Sequence, residues 1–231
     1  MQTPAKTRMS VDFKVVSFVF VCVLAVVFLN GCYSASTRAE KEPTERTELL
    51  SALHLGKDYQ SDSFTDPRDS QTYETVKIGD QVWLAQNLNY VTEEGSWPVP
   101  GDPEGQQFGR FYTWDAAKKA VPPGCHLPSR QEFEKLAATL GVTDLPNWND
   151  LYPLLIEGGA SGFDVQLTGS HNEAYSRRGR SASFWSSETG WKLFPFLKNP
   201  WRLSFRAPNY VNIGNGAESD YGFNVRCIVD G

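Results

Sequence analysis

The hydrophobic and polar positions after residue 61 predict short strands mixed with short helices. Two runs rich in β-branched and aromatic residues flank Gly79-Asp80, which is a two-residue signal for a tight hairpin turn. In that hairpin Val76 falls opposite Trp83 on one face, which pairs a β-branched with an aromatic side chain. Because an isolated hairpin is only marginally stable in water, the ribbon must pack on a larger body.

Helical spacing of apolar residues appears in the middle of the chain. Ser129 followed by Glu132 fits a capping box, in which each side chain satisfies a free backbone N–H group. The apolar face that follows at helical spacing comprises Phe133, Leu136, Ala137 and Leu140. Thr113 is placed to cap a shorter helix, and residues 149–156 form a further helical candidate. We therefore expect short, separately capped helices.

The period changes to that of strands after Gly162. The pattern predicts strands over residues 163–169, 182–187 and 201–206. In a last predicted strand, 221–229, one face comprises Tyr221, Phe223, Val225, Cys227 and Val229. Residues 91–107 are rich in glycine and proline and predict a long loop, which either binds a ligand or lacks fixed structure.

The N-terminal residues carry a signal for export. Basic residues precede an apolar run over residues 15–29, whereas a membrane-spanning helix usually needs about 20 apolar residues. The run ends in Leu29-Asn30-Gly31-Cys32, which resembles the lipobox of bacterial lipoproteins. That resemblance implies a signal peptide over residues 1–31, an acylated (palmitate-bearing) Cys32 and attachment at the bacterial outer membrane or cell surface. An uncleaved anchor helix is the alternative.

Composition divides the rest of the chain into a tether and one domain. Residues 32–60 are polar and mixed in charge, so they bury too little apolar surface to offset their ordering entropy. Residues 61–231 form the predicted domain, without an internal repeat or a second linker. The many aromatic, glycine and proline residues favour short strands and long loops over a helical bundle.

The charge pattern argues against a nucleic-acid partner. The formal net charge is −5, and the densest basic stretch is Arg177-Arg178-Gly179-Arg180. Binding to a phosphate backbone needs a clustered basic face, and a stretch this short is more typical of an exposed loop tip.

A series of motifs, in order over about residues 64–229, resembles one known family. They include Tyr73-x-x-Val76-Lys77-Ile78-Gly79-Asp80-Gln81-x-Trp83, Gly109-Arg-x-Tyr112-Thr-Trp, His126-Leu-Pro-Ser129-x-x-Glu132-Phe133, Phe184-Trp-Ser-Ser187 and Gly222-Phe-x-Val-Arg-Cys227. Together they are similar to the Fibrobacter succinogenes major paralogous domain of Fibrobacter and Bacteroidetes lipoproteins. The resemblance implies a C-type lectin-like α+β fold, related to formylglycine-generating-enzyme-like domains, with a mixed, mostly antiparallel sheet, two flanking helices and long loops.

The resemblance also implies a Cys125–Cys227 disulfide. The family commonly has tryptophan where Cys125 stands, with its cysteine a few residues earlier, so the bridge starts from a shifted position here. An even pair of cysteines in an oxidising compartment favours a bridge. A reactive thiol, as in the sulfatase-activating relatives, is the alternative.

Few residues point to catalysis or metal binding. The chain contains no nucleophile elbow, no His-Glu-x-x-His and no phosphate-cradling glycine loop. Trp148-Asn149-Asp150 matches the calcium triplet of C-type lectins, but far from the last cysteine and beside a predicted helix start. Glycosidases use two carboxylates, for which Glu93-Glu94 or Glu218 with Asp220 are candidates, but acidic residues in loops are usually only solvated. We expect no cofactor, no metal and no catalytic residue.

Four aromatic residues are candidates for ligand binding because they lie in or beside long loops. They are Trp97, Trp191, Trp201 and Tyr210, and aromatic rings there suit stacking on sugars. Core packing is the alternative for each of them. The sequence therefore predicts a lipid-anchored, non-catalytic binding or structural module for polysaccharide or surface protein, with an enzyme on the formylglycine-generating scaffold as the alternative.

Overall fold

The structure is a computed structural model that describes residues 62–143, 148–172, 174–190, 199–216 and 219–231. The predicted signal peptide, the tether with Cys32, and Trp191 lie outside the described residues. In the part of the chain that is described, no helix has the length and apolar character needed to cross a membrane.

The described elements are short and mixed. The helices are α1 (Trp114–Ala120), α2 (Arg130–Thr139) and α3 (Tyr152–Leu155), with a 3-10 turn (Asn149–Leu151) before α3. The strands are β1 (Asp62–Thr65), β2 (Thr72–Ile78), β3 (Gln81–Leu84), β4 (Ser96–Pro98), β5 (Arg110–Tyr112), β6 (Cys125–His126), β7 (Ser170–Asn172), β8 (Ala174–Ser176), β9 (Ser181–Thr189), β10 (Pro200–Arg206), β11 (Tyr210–Gly214) and β12 (Ile228–Val229). The predicted α+β class is confirmed at this level.

A five-stranded antiparallel sheet in the order β1-β2-β3-β12-β6 contains the predicted hairpin. Val76 pairs with Trp83 across β2 and β3, as the sequence predicts. Gly79 turns the chain at φ 65°, and a Cβ atom there would lie 2.9 Å from Thr139 Cγ2 at the end of α2. Only glycine therefore combines this turn with the close approach of the helix. Trp83 is fully buried and stacks on Phe133 of α2 with ring centroids 5.6 Å apart, so the ribbon packs on a larger body.

A second, three-stranded sheet has the order β11-β10-β9 and is antiparallel throughout. One face of this sheet is apolar and fully buried, and comprises Ala182, Phe184, Leu203, Phe205 and Val211. The ribbons β4–β5 and β7–β8 complete the described strands. The predicted strands at 182–187 and 201–206 are confirmed as parts of β9 and β10.

Both predicted helix caps are confirmed. Ser129 accepts a hydrogen bond from the Glu132 amide, and the Glu132 carboxylate accepts one from the Ser129 amide. Thr113 caps α1 by accepting from the amide of Ala116. Because both signals are local in sequence, they fix the starts of these helices independently of packing. The candidate at 149–156 is confirmed as the 3-10 turn followed by α3.

Three strand and loop predictions need correction. Residues 163–169 form only an isolated bridge between Ile156 and Val165, because Asp164 turns the chain at φ 50°. The loop at 91–107 contains a strand, β4, in which Trp97 pairs with Phe111 of β5. The segment 221–229 is a strand only at β12, and every residue from Gly222 to Ile228 is buried, so both of its faces are covered.

Arg226 explains how a charged residue lies inside that segment. Its side chain is 1 % exposed and donates to Asn87 Oδ1 at 2.8 Å and to the carbonyls of Leu84, Phe163 and Asp164. The guanidinium also lies over the ring of Phe163, 5.0 Å from its centroid. Burial lowers the pKa of Arg226 to about 9, despite the nearby charge of Asp164. The polar side chains of this segment, Asn224 and Arg226, are therefore buried and hydrogen-bonded.

Candidate ligand-binding pocket

The polar face of the three-stranded sheet forms the floor of a pocket of about 360 Å³. Side chains alternate across a strand, so Arg202, Ser204 and Arg206 of β10 lie on the face opposite Leu203 and Phe205. Cross-strand partners extend this face, which also includes Ser181 and Ser183 of β9 and Tyr210 and Asn212 of β11. The walls are formed by Ser170, Asn172 and Ser176 of the β7–β8 ribbon together with Arg177, Tyr221 and Phe223.

Arg202 is the central charge of the pocket. It is half-buried, its guanidinium lies 5.6 Å from the Phe223 ring centroid, and its buried Nη1 has no hydrogen-bond partner. Within the described ranges it forms no ion pair. Burial lowers the pKa of Arg202 below its usual value, and only the hydroxyl groups of Tyr210 and Tyr221 oppose that effect. An incompletely satisfied cation thus faces a polar cavity.

The remaining lining of the pocket suits a polyhydroxylated ligand. Ser183 and Ser204 lie within hydrogen-bond distance of each other at 3.1 Å, and Ser170 and Ser176 do so at 3.3 Å. Hydroxyl pairs of this kind both donate and accept, and can exchange partners with a ligand. Tyr210 is 41 % exposed, which places an aromatic ring at the rim.

The structure brings only one of the four predicted aromatic residues into this pocket. Tyr210 lines it, whereas Trp97 is stacked on His171 with ring centroids 4.1 Å apart. The face of Trp201 is covered by the guanidinium of Arg130, 4.4 Å from its centroid. Trp191 lies outside the described residues. Of the other tryptophans, Trp83, Trp114 and Trp185 are buried.

Sequence analysis missed Arg202, Ser204 and Asn212 as ligand-binding candidates. The signal was present, because polar residues alternate with apolar ones in β9, β10 and β11. Alternation alone indicates a solvent-facing surface, however, and the walls that turn this surface into a pocket come from distant segments of the chain. The basic stretch from Arg177 to Arg180 is exposed, as predicted, and Arg177 lies at the edge of the pocket.

The cysteines do not form the expected bridge. Cys125 is half-buried, Cys227 is fully buried, and both are free thiols, so the expected Cys125–Cys227 disulfide is not formed in the structure. The register places Cys125 opposite Val229 rather than opposite Cys227. Burial raises the pKa of the Cys125 thiol to about 12 and raises the pKa of Cys227 well above its ordinary value. Because the thiolate is the nucleophile, burial disfavours the reactive form of both cysteines.

His126 lies next to Cys125 between two carboxylates. Its Nδ1 is 2.6 Å from Asp230 Oδ1 and its Nε2 is 2.7 Å from Glu132 Oε1. Burial disfavours the imidazolium, but the two carboxylates outweigh that effect and raise the pKa of His126. With both ring nitrogens donating, the imidazolium has no free lone pair to act as a base or a metal ligand.

The calcium triplet motif has a structural role here. Trp148 is buried, and Asn149 Oδ1 accepts a hydrogen bond from the Val211 amide at 3.1 Å. Asn149 thereby joins the 3-10 turn to β11. Among the described residues, no group of three or more His, Cys, Asp or Glu side chains is arranged to hold a metal ion.

Comparison with known proteins gives one match. The family model for the Fibrobacter succinogenes major domain matches residues 76–229, which include β12 and every described strand of the pocket. No curated protein and no solved structure matches the chain.

Proposed function

This chain belongs to the Fibrobacter succinogenes major domain family, and from that premise we propose that it is an exported lipoprotein whose domain binds polysaccharide. The lipid anchor on Cys32, after a signal peptide over residues 1–31, holds the domain at the bacterial outer membrane or cell surface. The lipobox-like sequence supports the anchor. The pairing of the C-terminal β12 with β3, near the first strands of the domain, supports a C-type lectin-like arrangement.

One observation carries the polysaccharide proposal. A half-buried pocket combines serine and asparagine side chains with an exposed tyrosine at its rim and an incompletely hydrogen-bonded arginine in its floor. Its volume of about 360 Å³ lies at the lower end of the range of about 300–1,000 Å³ found for small-molecule sites. Hydroxyl and amide groups hydrogen-bond sugar hydroxyls. The Arg206 guanidinium lies over one face of the exposed Tyr210 ring, 5.4 Å from its centroid, and the opposite face is offered for stacking.

The state of two candidate reactive groups supports the non-catalytic assignment. The thiol of Cys227 is buried and protonated, and both nitrogens of His126 are occupied by carboxylates. The alternative, an enzyme on a formylglycine-generating scaffold, requires an accessible reactive thiol, which these two features disfavour.

Affinity electrophoresis of the full-length protein in detergent tests polysaccharide binding. Gels that contain plant and microbial polysaccharides, both neutral and acidic, should retard the wild-type protein in at least one case. Tyr210→Ala should abolish the retardation, whereas Tyr175→Ala should retain it, because Tyr175 is similarly exposed (44 %) but does not line the pocket. Migration unchanged in every polysaccharide would overturn the proposal and favour a surface-protein partner.

Metabolic labelling with palmitate tests the anchor separately. The wild-type protein should incorporate label and sediment with membranes, whereas Cys32→Ser should lose the label. An unlabelled wild-type protein that still sediments with membranes would contradict lipidation and indicate an uncleaved anchor helix.

A further inference from the structure

We propose that the pocket around Arg202 selects carboxylated sugars, namely the uronic acid units of an acidic polysaccharide. The inference rests on the proposed polysaccharide-binding function and adds the chemical class of the ligand. Arg202 binds the carboxylate, the serine and asparagine side chains bind ring hydroxyls, and Tyr210 covers the rim.

The first support is the charge of the lining. Three arginines, Arg177, Arg202 and Arg206, line the cavity, and none of its described lining residues is aspartate or glutamate. The chain as a whole carries a net charge of −5, so the positive charge of the pocket lining is opposite in sign to the net charge of the chain. A cleft lined by one sign of charge attracts ligands of the opposite sign.

The second support is the state of Arg202. The guanidinium has lost part of its hydration, yet within the described ranges it has no carboxylate partner, and its buried Nη1 donates to nothing. Leaving a buried donor on a charged group without a partner costs free energy, which an incoming anion would recover. By contrast, Arg68 is paired with Asp66 at 2.7 Å, and Arg130 with Glu134 at 2.7 Å. Arg202, unlike these two arginines, thus has no carboxylate partner among the described residues.

The third support is the geometry of a guanidinium on a strand. Its planar fork of N–H groups matches the two oxygens of a carboxylate, and such bidentate pairs are stronger than neutral hydrogen bonds. The cross-strand neighbours of Arg202 and Ser204 on the same face are neutral, and they include Ser183, Asn212 and Gly214. The Arg202 fork thus has neutral residues as its cross-strand neighbours, whereas Arg177 and Arg206 are exposed. This arrangement suits one carboxylate on a hydroxylated ring better than a polyanion of clustered phosphates.

The test compares polygalacturonate with the same polymer after its carboxyl groups are reduced to alcohols. Affinity electrophoresis and titration calorimetry use the full-length protein in detergent. The wild-type protein should bind polygalacturonate at least about 10-fold more tightly than the reduced polymer. Arg202→Gln should remove most of that preference, and Arg180→Gln should leave it unchanged, because Arg180 is exposed and does not line the pocket.

A second variant covers the case in which Arg202→Gln fails to fold. Asn212→Asp keeps the side-chain shape and places a negative charge beside Ser204 in the pocket. It should weaken binding of polygalacturonate by about 10-fold, with a smaller effect on neutral polymers. Circular dichroism of each variant confirms that its fold is intact.

The outcomes separate this inference from the proposed function. Equal binding of the native and reduced polymers, unaffected by Asn212→Asp, would overturn the carboxylate inference while polysaccharide binding stands. A preference for a sulfated galactan over polygalacturonate would also overturn it. Binding of no polysaccharide at all would remove both proposals.

Discussion

Arg226 is a buried charge whose hydrogen bonds join distant segments of the chain. Its guanidinium donates to three carbonyls, those of Leu84, Phe163 and Asp164, which belong to segments far apart in the chain. Arg226→Met removes these donors and leaves the acceptors buried without partners, at about 1–3 kcal/mol for each. We expect the free energy of unfolding to fall by about 3 kcal/mol or more.

Urea unfolding of the full chain measures this loss. The control is Arg180→Met at an exposed position, which should change stability by no more than about 0.5 kcal/mol. Equal unfolding midpoints for the two variants would show that the buried network contributes nothing.

His126 should make stability depend on pH. Burial acts against its charge, but the hydrogen bonds that its ring donates to the carboxylates of Asp230 and Glu132 raise the pKa of His126 in the folded protein above the ordinary 6.5. The folded state then binds the proton more tightly than the unfolded state. The stabilisation is therefore complete below about pH 6.5 and is lost as pH rises through the folded pKa. His126→Gln should flatten this part of the profile of urea midpoint against pH.

His171 provides a control with the opposite sign. Burial against Trp97 lowers the pKa of His171, so the folded state disfavours its protonation. The contribution of neutral His171 to the free energy of unfolding is therefore present above pH 6.5 and declines as the pH falls below that value. His171→Gln should consequently leave the loss of stability above pH 6.5 intact. A profile in which both variants flatten that same region would contradict the assignment to His126.

At the scale of elements, the capping box of α2 joins a helix start to the β6 strand. The Glu132 carboxylate accepts from the Ser129 amide and also contacts His126 of β6. Ser129→Ala leaves the Glu132 amide without its side-chain acceptor and should lower the free energy of unfolding by about 1 kcal/mol. Urea unfolding measures the change, with Ser63→Ala on the exposed β1 strand as the control. A loss of equal size in both variants would show that the cap has no specific effect.

Elements fixed by neighbouring residues could be predicted from the sequence. The Gly79-Asp80 turn and the Ser129 cap each depend on contacts within a few positions, and both are confirmed. The C-terminal segment could not be predicted in the same way. Asn224 donates to the Arg110 carbonyl and Arg226 to Asn87, which are 114 and 139 positions away, so the partners of these buried polar side chains come from distant parts of the chain. Local alternation does not contain that information.

The candidate pocket shows the same limit. The sequence pattern predicts the strand that holds Arg202, but it gives the polar positions no role and makes Trp201 the ligand-binding candidate there. In the structure Arg130, from α2, covers the Trp201 ring, while Tyr221 and the β7–β8 ribbon enclose Arg202. Which strand face is open to a ligand therefore depends on tertiary contacts. Residue type along one strand does not determine it.

At the scale of the whole molecule, the last strand joins the first sheet together. β12 pairs with β3 on one side and with β6 on the other, so Ile228 lies between Trp83 and His126. Asp230, just after β12, contacts His126 and donates its amide to the Gly124 carbonyl. The chain therefore closes its main sheet only when its last residues are in place.

Truncation tests this dependence. Deletion of residues 228–231 removes the strand between β3 and β6, and exposes the apolar surface of Trp83 and Leu84, which are now fully buried. We expect loss of near-ultraviolet circular dichroism and rapid proteolysis of the shortened chain. Deletion of the exposed Gly231 alone should have no such effect. Native spectra from the 228–231 deletion would contradict this expectation. They would show that the strands β1, β2 and β3 keep their fold without the C-terminal strand β12.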